Sequence, residues 1–290
     1  MLIAEAAGDT AAAEAAAANL AANGLIWNWG ALDFAGGTVV HINSGITALV
    51  GAIVVGKRIG YGKESMAPHS LTMTMIGGAL LWVGWFGFNA GSNLEANAIT
   101  SLAIVNTFVA AAAGGVAWMF AEWATKGHPS LLGLVSGVVT GLVAVTPAAG
   151  FAGPMGAIVL GLVAGVICFI FVGFIKNKFQ LDDSLDVFGI HGLGGIIGAL
   201  GTGILVNPAL GGAGIPDYLS QPGTLQVAEY VFATAFMAQV KAVAFTIVFV
   251  GIGSFILFKL IDMTMGLRVK PEVEREGLDV AEHGERAYNM

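Results

Sequence analysis

Seven long apolar runs decide what this chain can fold into. They fall near residues 34–56, 70–90, 98–124, 130–147, 153–175, 186–206 and 227–262. A helix needs about 20 apolar residues to span a hydrocarbon core, and the runs match that length. The fourth is short and Gly-rich, and the last is long enough to require tilt or projection beyond the bilayer. The runs predict an all-α, polytopic membrane protein with about seven transmembrane helices. Charge supports this: only 11% of residues are charged and 56% are hydrophobic, too little charge to cover a water-facing surface. The 43 glycines suit helices that approach closely in lipid.

The same composition excludes several functions. A net charge of −7 argues against a nucleic-acid partner, which wants a basic surface. The single cysteine, Cys168, lies inside an apolar run, so no disulfide framework or cysteine-rich metal site is expected. Residues 1–32 read as an Ala-rich connector. Its first part carries Glu5, Asp9 and Glu14 without Lys or Arg, unlike the basic start of a secretory leader.

Charge placement predicts the orientation. Lys57, Arg58 and Lys63, then Lys126, then Lys176 and Lys178, then Arg268 and Lys270 follow runs one, three, five and seven. The loops after runs two, four and six carry no Lys or Arg. The positive-inside rule places the basic loops and the C-terminus in the cytoplasm, with residues 1–32 on the opposite side.

The sequence also contains an internal echo. At one constant offset Asp33 matches Asp183, His41 matches His191, Gly45 matches Gly195, Ile46 matches Ile196 and Gly51 matches Gly201. Such echoes mark structural repeats in transporters, with the site where the repeats meet. His41 and His191 both sit inside apolar runs, where ionisable groups face a cavity or a partner. They read either as two unrelated, hydrogen-bonded core histidines or as a functional pair. A neutral imidazole offers one donor and one acceptor. Two in contact make a polar strip that a small neutral molecule can use, while a compact ion is held back by its desolvation cost. A metal site has less support, because His69 and His128 lie in loops and no HExxH or CxxC spacing occurs.

Trp82, Trp85, Phe86 and Phe88 form an aromatic cluster, with Trp85, Phe88 and Ser92 at helical spacing on one face. It reads equally as a cation-attracting face with a hydroxyl acceptor or as an interfacial aromatic belt. Asp33, Asp182, Asp183 and Asp186 read as helix caps and hydrogen-bond anchors, and Asp33 also as a charge that concentrates cations. Asn207-Pro208-Ala209 reads as a turn.

These residues resemble the ammonium transporter family (Amt/Mep/Rh). The runs that carry the resemblance are Asp33 to Asn43, Gly84 to Ser92, Lys126 to Gly133, Asp186 to Gly192, and in the tail Gly266 to Arg268, Glu276 to Asp279 and His283 to Tyr288. They occur in order from about residue 25 to the end, and the tail is similar to the Amt branch. The resemblance implies an eleven-helix fold with an inverted repeat of five helices and a long last helix. It also implies a trimer with one pore per subunit, in the cell membrane. His41 and His191 would be the pore histidines. Phe88 would be one of two gate phenylalanines. Ser92, Trp85 and Asp33 would serve the outer ammonium site, with Trp85 beside the pore lining. The seven spans would be helices five to eleven, in a domain over 33–265. The tail, 266–290, would meet a neighbouring subunit and a PII-type regulatory protein. The family's first four helices have no counterpart, so a truncated chain, inactive alone, is expected. The implied activity is ammonium transport without enzyme chemistry, cofactor or metal. An ammonium sensor signalling through its tail is the alternative, and a water or neutral-solute channel a third.

Overall fold

The structure, a computed structural model, describes residues 24–216, 227–286 and 288. The Ala-rich stretch 1–23 and Ala287 of the tail lie outside the described residues. Among the described residues seven helices are long and apolar enough to cross a membrane: α1 Gly37–Val55, α2 Leu71–Gly91, α3 Ala98–Lys126, α4 Leu131–Ala148, α5 Pro154–Lys178, α6 Phe188–Leu205 and α7 Phe232–Thr264. They match the apolar runs closely. The largest difference is at the start of α7, where Val227–Ala228 (β2) leaves the helix to pair antiparallel with Ile215–Pro216 (β1).

Local sequence sets the helix ends. Ser70 Oγ accepts Met73 N–H, Ser130 Oγ accepts Gly133 N–H, and the Asn97 side chain accepts from Ile99 and Thr100. Each such cap satisfies an otherwise orphaned donor and stabilises by about 1 kcal/mol. Pro154 opens α5, where its missing N–H costs nothing. Gly127 closes α3 at φ 82°, a left-handed position that glycine takes without penalty. Asn207 forms the expected turn by accepting Ala209 N–H.

The back-and-forth path of the seven helices puts Lys57, Lys126, Lys176 and Arg268 at one end of the bundle, the basic end. In its apolar window α4 is 67% buried, against 6% for α2 and 11% for α7. So α4 is central and α2 and α7 are peripheral. α3, α4 and α5 make the most extensive contacts. They meet at backbone distance, since a Cβ on Gly114 would fall 2.8 Å from Gly141 N. Without a hydrophobic drive between helices in lipid, such close packing is a main source of association.

The internal echo is structural. α1 and α6 each open with a wide π-helical turn, Gly37–Ile42 and Phe188–Gly192. Asp33 Oδ2 accepts Thr38 N–H at 3.0 Å and Val39 N–H at 3.2 Å. Asp183 accepts Val187 N–H at 2.9 Å and Phe188 N–H at 2.8 Å. Gly36 (φ 99°) and Asp186 (φ 57°) occupy the matching left-handed positions. Val40 N–H reaches Gly36 O and Ile190 N–H reaches Asp186 O, both at 2.8 Å. The two copies grip each other: a Cβ on Gly45 would land on the backbone of Gly192, and one on Gly195 would lie 3.0 Å from Ile42. α1 and α6 run in opposite directions, so their N-terminal ends overlap near this crossing.

A tail packs on the basic end. It contains α8 (Pro271–Glu276) and α9 (Leu278–Ala281). Glu274 accepts Ile59 N–H at 2.8 Å and pairs with Arg268 at 2.9 Å. These contacts lower the Glu274 pKa, the Ile59 bond first and Arg268 second. Arg268 also donates to Val55 O. Next to it, Arg58 binds Asp182 through two nitrogens, at 2.6 Å and 3.0 Å. Burial pushes the Asp182 pKa up, but the Arg58 bonds outweigh it and the net shift is downward.

Candidate functional site

At the α1–α6 crossing the two imidazoles meet. His41 Nδ1 and His191 Nδ1 are 3.3 Å apart, with ring centroids at 5.3 Å. Their backbones can come this close because Gly45 and Gly192 face each other without side chains. His41 is 4% exposed, and His191 is half-buried. Trp85 from α2 lies over both rings, stacked on His41 at 5.2 Å and on His191 at 6.5 Å. Phe88, one turn further along α2, leans on His41 at 5.8 Å and on Trp85 at 5.6 Å. The helical spacing of Trp85 and Phe88 thus becomes one continuous aromatic wall beside the histidines.

The other candidates lie apart from this contact. Ser92 Oγ donates back to Phe88 O at 2.7 Å, and the residue is exposed. Asp33 uses Oδ2 for its two cap bonds, while Oδ1 is buried with no partner among the described residues. Burial pushes its pKa up, against the pull of the backbone N–H groups that it accepts. His69, in the loop before α2, lies against the Tyr288 ring at 5.6 Å. Among the described residues no group of His, Cys, Asp and Glu is arranged to hold a metal ion.

Two polar residues that the sequence did not single out complete the site. Thr146 Oγ1, at the far end of α4, accepts Trp85 Nε1–H at 3.0 Å and lies 3.3 Å from His41 Nε2. Gln239 of α7 accepts Leu32 N–H at 2.7 Å and donates to Leu32 O at 2.8 Å and Ala199 O at 2.7 Å. It thereby holds the segment just before Asp33 against α6 and α7. Both are nearly inaccessible (Thr146 0%, Gln239 1%). A polar residue inside an apolar run was the available signal for each.

Electrostatics at the crossing follows from the fold. The opening turns of α1 and α6 carry partial positive charge on their free N–H groups. The Asp33 and Asp183 carboxylates are placed at those two turns. These carboxylates accept the opening N–H groups and offset their partial positive charge, so desolvation is the main cost to a cation entering the crossing. One side of the strip is open: Val39, Val40 and Phe88 are 53%, 42% and 39% exposed. A cavity of about 690 Å³ lies at the basic end, between Arg58, Glu64, Met66, Arg268 and Glu274, and does not include the histidines.

A sequence model of the Ammonium Transporter Family matches residues 10–288. The chain belongs to that family. Among relatives in it, the ammonium transporter of Bacillus subtilis is 45% identical over 267 residues, covering 91% of this chain and 63% of the relative. Ammonium transporter Amt1 of Archaeoglobus fulgidus is 46% identical over 266 residues, covering 91% and 64%. Of solved structures, a Sensor Amt Protein superposes with a TM-score of 0.78 at 31% identity, over 90% of this chain and 62% of that one. Candida albicans Mep2 superposes with a TM-score of 0.76 at 32% identity, over 86% and 55%. The chain thus spans about three fifths of the length of the family's curated members that it matches.

Proposed function

We propose that this chain carries the pore histidines of an ammonium transporter, and that His41 and His191 conduct ammonia. The 3.3 Å contact between two repeat-related imidazoles beneath an aromatic wall carries the reading. Ammonium is drawn in on the side away from the basic end, helped by Asp33, Ser92 and the face of Trp85. It gives up a proton before the crossing, where Phe88 acts as a gate. Ammonia then passes along the imidazoles by hydrogen bonds, and the proton is taken by water or by the pair. Desolvating the intact ion costs at least several kcal/mol.

The basic end faces the cytoplasm of a cell membrane, following the positive-inside rule. Residues 33–265 form the transmembrane part and 266–290 a cytoplasmic tail that a PII-type protein can reach. The match to the Amt relative and to the Sensor Amt Protein favours the Amt branch. The open side beside Val39, Val40 and Phe88 is closed by a further segment, and three copies assemble with one pore each. The chain by itself is inactive on this reading.

The test is ammonium uptake in cells lacking their own ammonium carriers. One arm produces the chain alone, and the other adds the part of the Bacillus subtilis relative that this chain does not match. Uptake lost in a His41→Ala, His191→Ala double variant supports the pore. Uptake that survives the double variant, or no uptake in either arm, overturns it. A sensor is the second reading, favoured by the Sensor Amt Protein superposition and by the tail docked on Ile59 and Val55. Ammonium that releases or tightens Glu274 on Ile59 without net uptake would select it.

A further inference from the structure

Thr146 sits where three groups compete for one hydroxyl. A threonine hydroxyl has one proton and two lone pairs. Its oxygen lies 2.8 Å from Leu142 O, a carbonyl four residues back in α4. The hydroxyl donates its proton to that carbonyl, as threonines in helices commonly do. Trp85 Nε1–H can only donate, and at 3.0 Å it fills one lone pair. The remaining lone pair faces His41 Nε2 at 3.3 Å. That contact is a hydrogen bond only if His41 carries its proton on Nε2. His41 Nδ1 is then bare and must accept across the 3.3 Å contact, so His191 carries its proton on Nδ1. The proton order runs in one direction, and its free lone pair is His191 Nε2.

We propose that Thr146 is a positioning residue that fixes the tautomers of the histidine pair, His41 protonated on Nε2 and His191 on Nδ1. Two consequences follow for a site that, on the transport reading, conducts ammonia. The acceptor offered to an N–H of the permeant is His191 Nε2. A proton taken there can pass from His191 Nδ1 to His41 Nδ1, breaking one N–H bond and forming another, but it stops at Thr146. That oxygen has both lone pairs occupied and its own proton committed to Leu142 O. A proton received by the pair must leave again through His191.

The assignment is testable without transport. With His69, His128 and His283 changed to Gln, the pair is alone in a ring-15N histidine solid-state spectrum of the chain in lipid bilayers. The rings are assigned through Val40 and Ile190. The expected result is Nε2–H for His41 and Nδ1–H for His191. Thr146→Val keeps the shape and removes the hydroxyl, and both arrangements should then be populated. Thr146→Ser should restore the single arrangement. The reverse assignment, or one unchanged in Thr146→Val, overturns the proposal. Uptake is the second readout, measured in whichever arm transports, with about a tenfold loss expected for Thr146→Val and near-full rescue for Thr146→Ser. Expected spectra with unchanged uptake would leave the tautomer assignment standing and refute the transport role of the pair.

Discussion

At the scale of residues, the site depends on polar groups that are fully satisfied in an apolar setting. Gln239 is the clearest. Its amide makes three hydrogen bonds to Leu32 and Ala199 backbone groups. In Gln239→Leu these backbone groups lose their partner, and each unsatisfied buried group costs about 1–3 kcal/mol. The variant should unfold at a visibly lower temperature in detergent and move Asp33. A midpoint equal to that of the unaltered protein would show that water replaces the amide without cost. The histidines were legible in the sequence because an ionisable side chain inside an apolar run is expensive, and two at one repeat offset are more than coincidence explains. Thr146 and Gln239 were not. A hydroxyl or amide in a transmembrane run is ordinary in sequence, and its role exists only when distant elements bring Trp85, His41 or Leu32 to it.

At the scale of elements, the boundaries of the seven spans were legible to within a few residues because hydropathy and caps coincide at Ser70, Asn97, Ser130 and Pro154. The π-helical openings of α1 and α6 were not, since they arise from the caps on Asp33 and Asp183 and from the crossing itself. That crossing has no room for a side chain. Gly45→Val would push α1 off Gly192, and overpacking of this kind costs about 1–3 kcal/mol. It should lower the thermal midpoint and abolish the His41–His191 contact in the 15N spectrum; retention of both would mean that the helices slide without consequence. The tail was also illegible as a docked element, because exposed charges look alike in sequence. Its docking should depend on pH. The Glu274 pKa is lowered in the folded state by Ile59 N–H and Arg268. Its contribution is therefore complete above the ordinary value of 4.5 and disappears as pH falls through the lowered value. Exchange of the Ile59 amide should accelerate over that acidic range in the unaltered protein. In Glu274→Gln the acid-dependent step should be absent. Equal pH profiles for the two would show that the carboxylate does not hold the tail.

At the scale of the whole molecule, the alternation of loops with and without Lys or Arg makes a two-sided prediction. Single cysteines at Lys63, Lys126, Lys178 and Lys270 should react with a membrane-impermeant thiol reagent from one face only. Those at Glu95 and Ala209 should react from the other. Buried Cys168 should give little background. Any basic-loop position labelled with Glu95 would refute the seven-span path.

The mutual grip of the two repeat copies also has a consequence in time. Each copy buries its glycine against the other, and the partners stand 150 residues apart in the chain. At about 5–20 residues per second on the ribosome, the first copy emerges roughly 8–30 seconds before the second. Through that interval α1 is in the bilayer with its opening turn unmatched. Assembly of the histidine pair is thus a late, long-range event in biosynthesis, and the nascent protein passes through a stage in which His41 has no histidine neighbour.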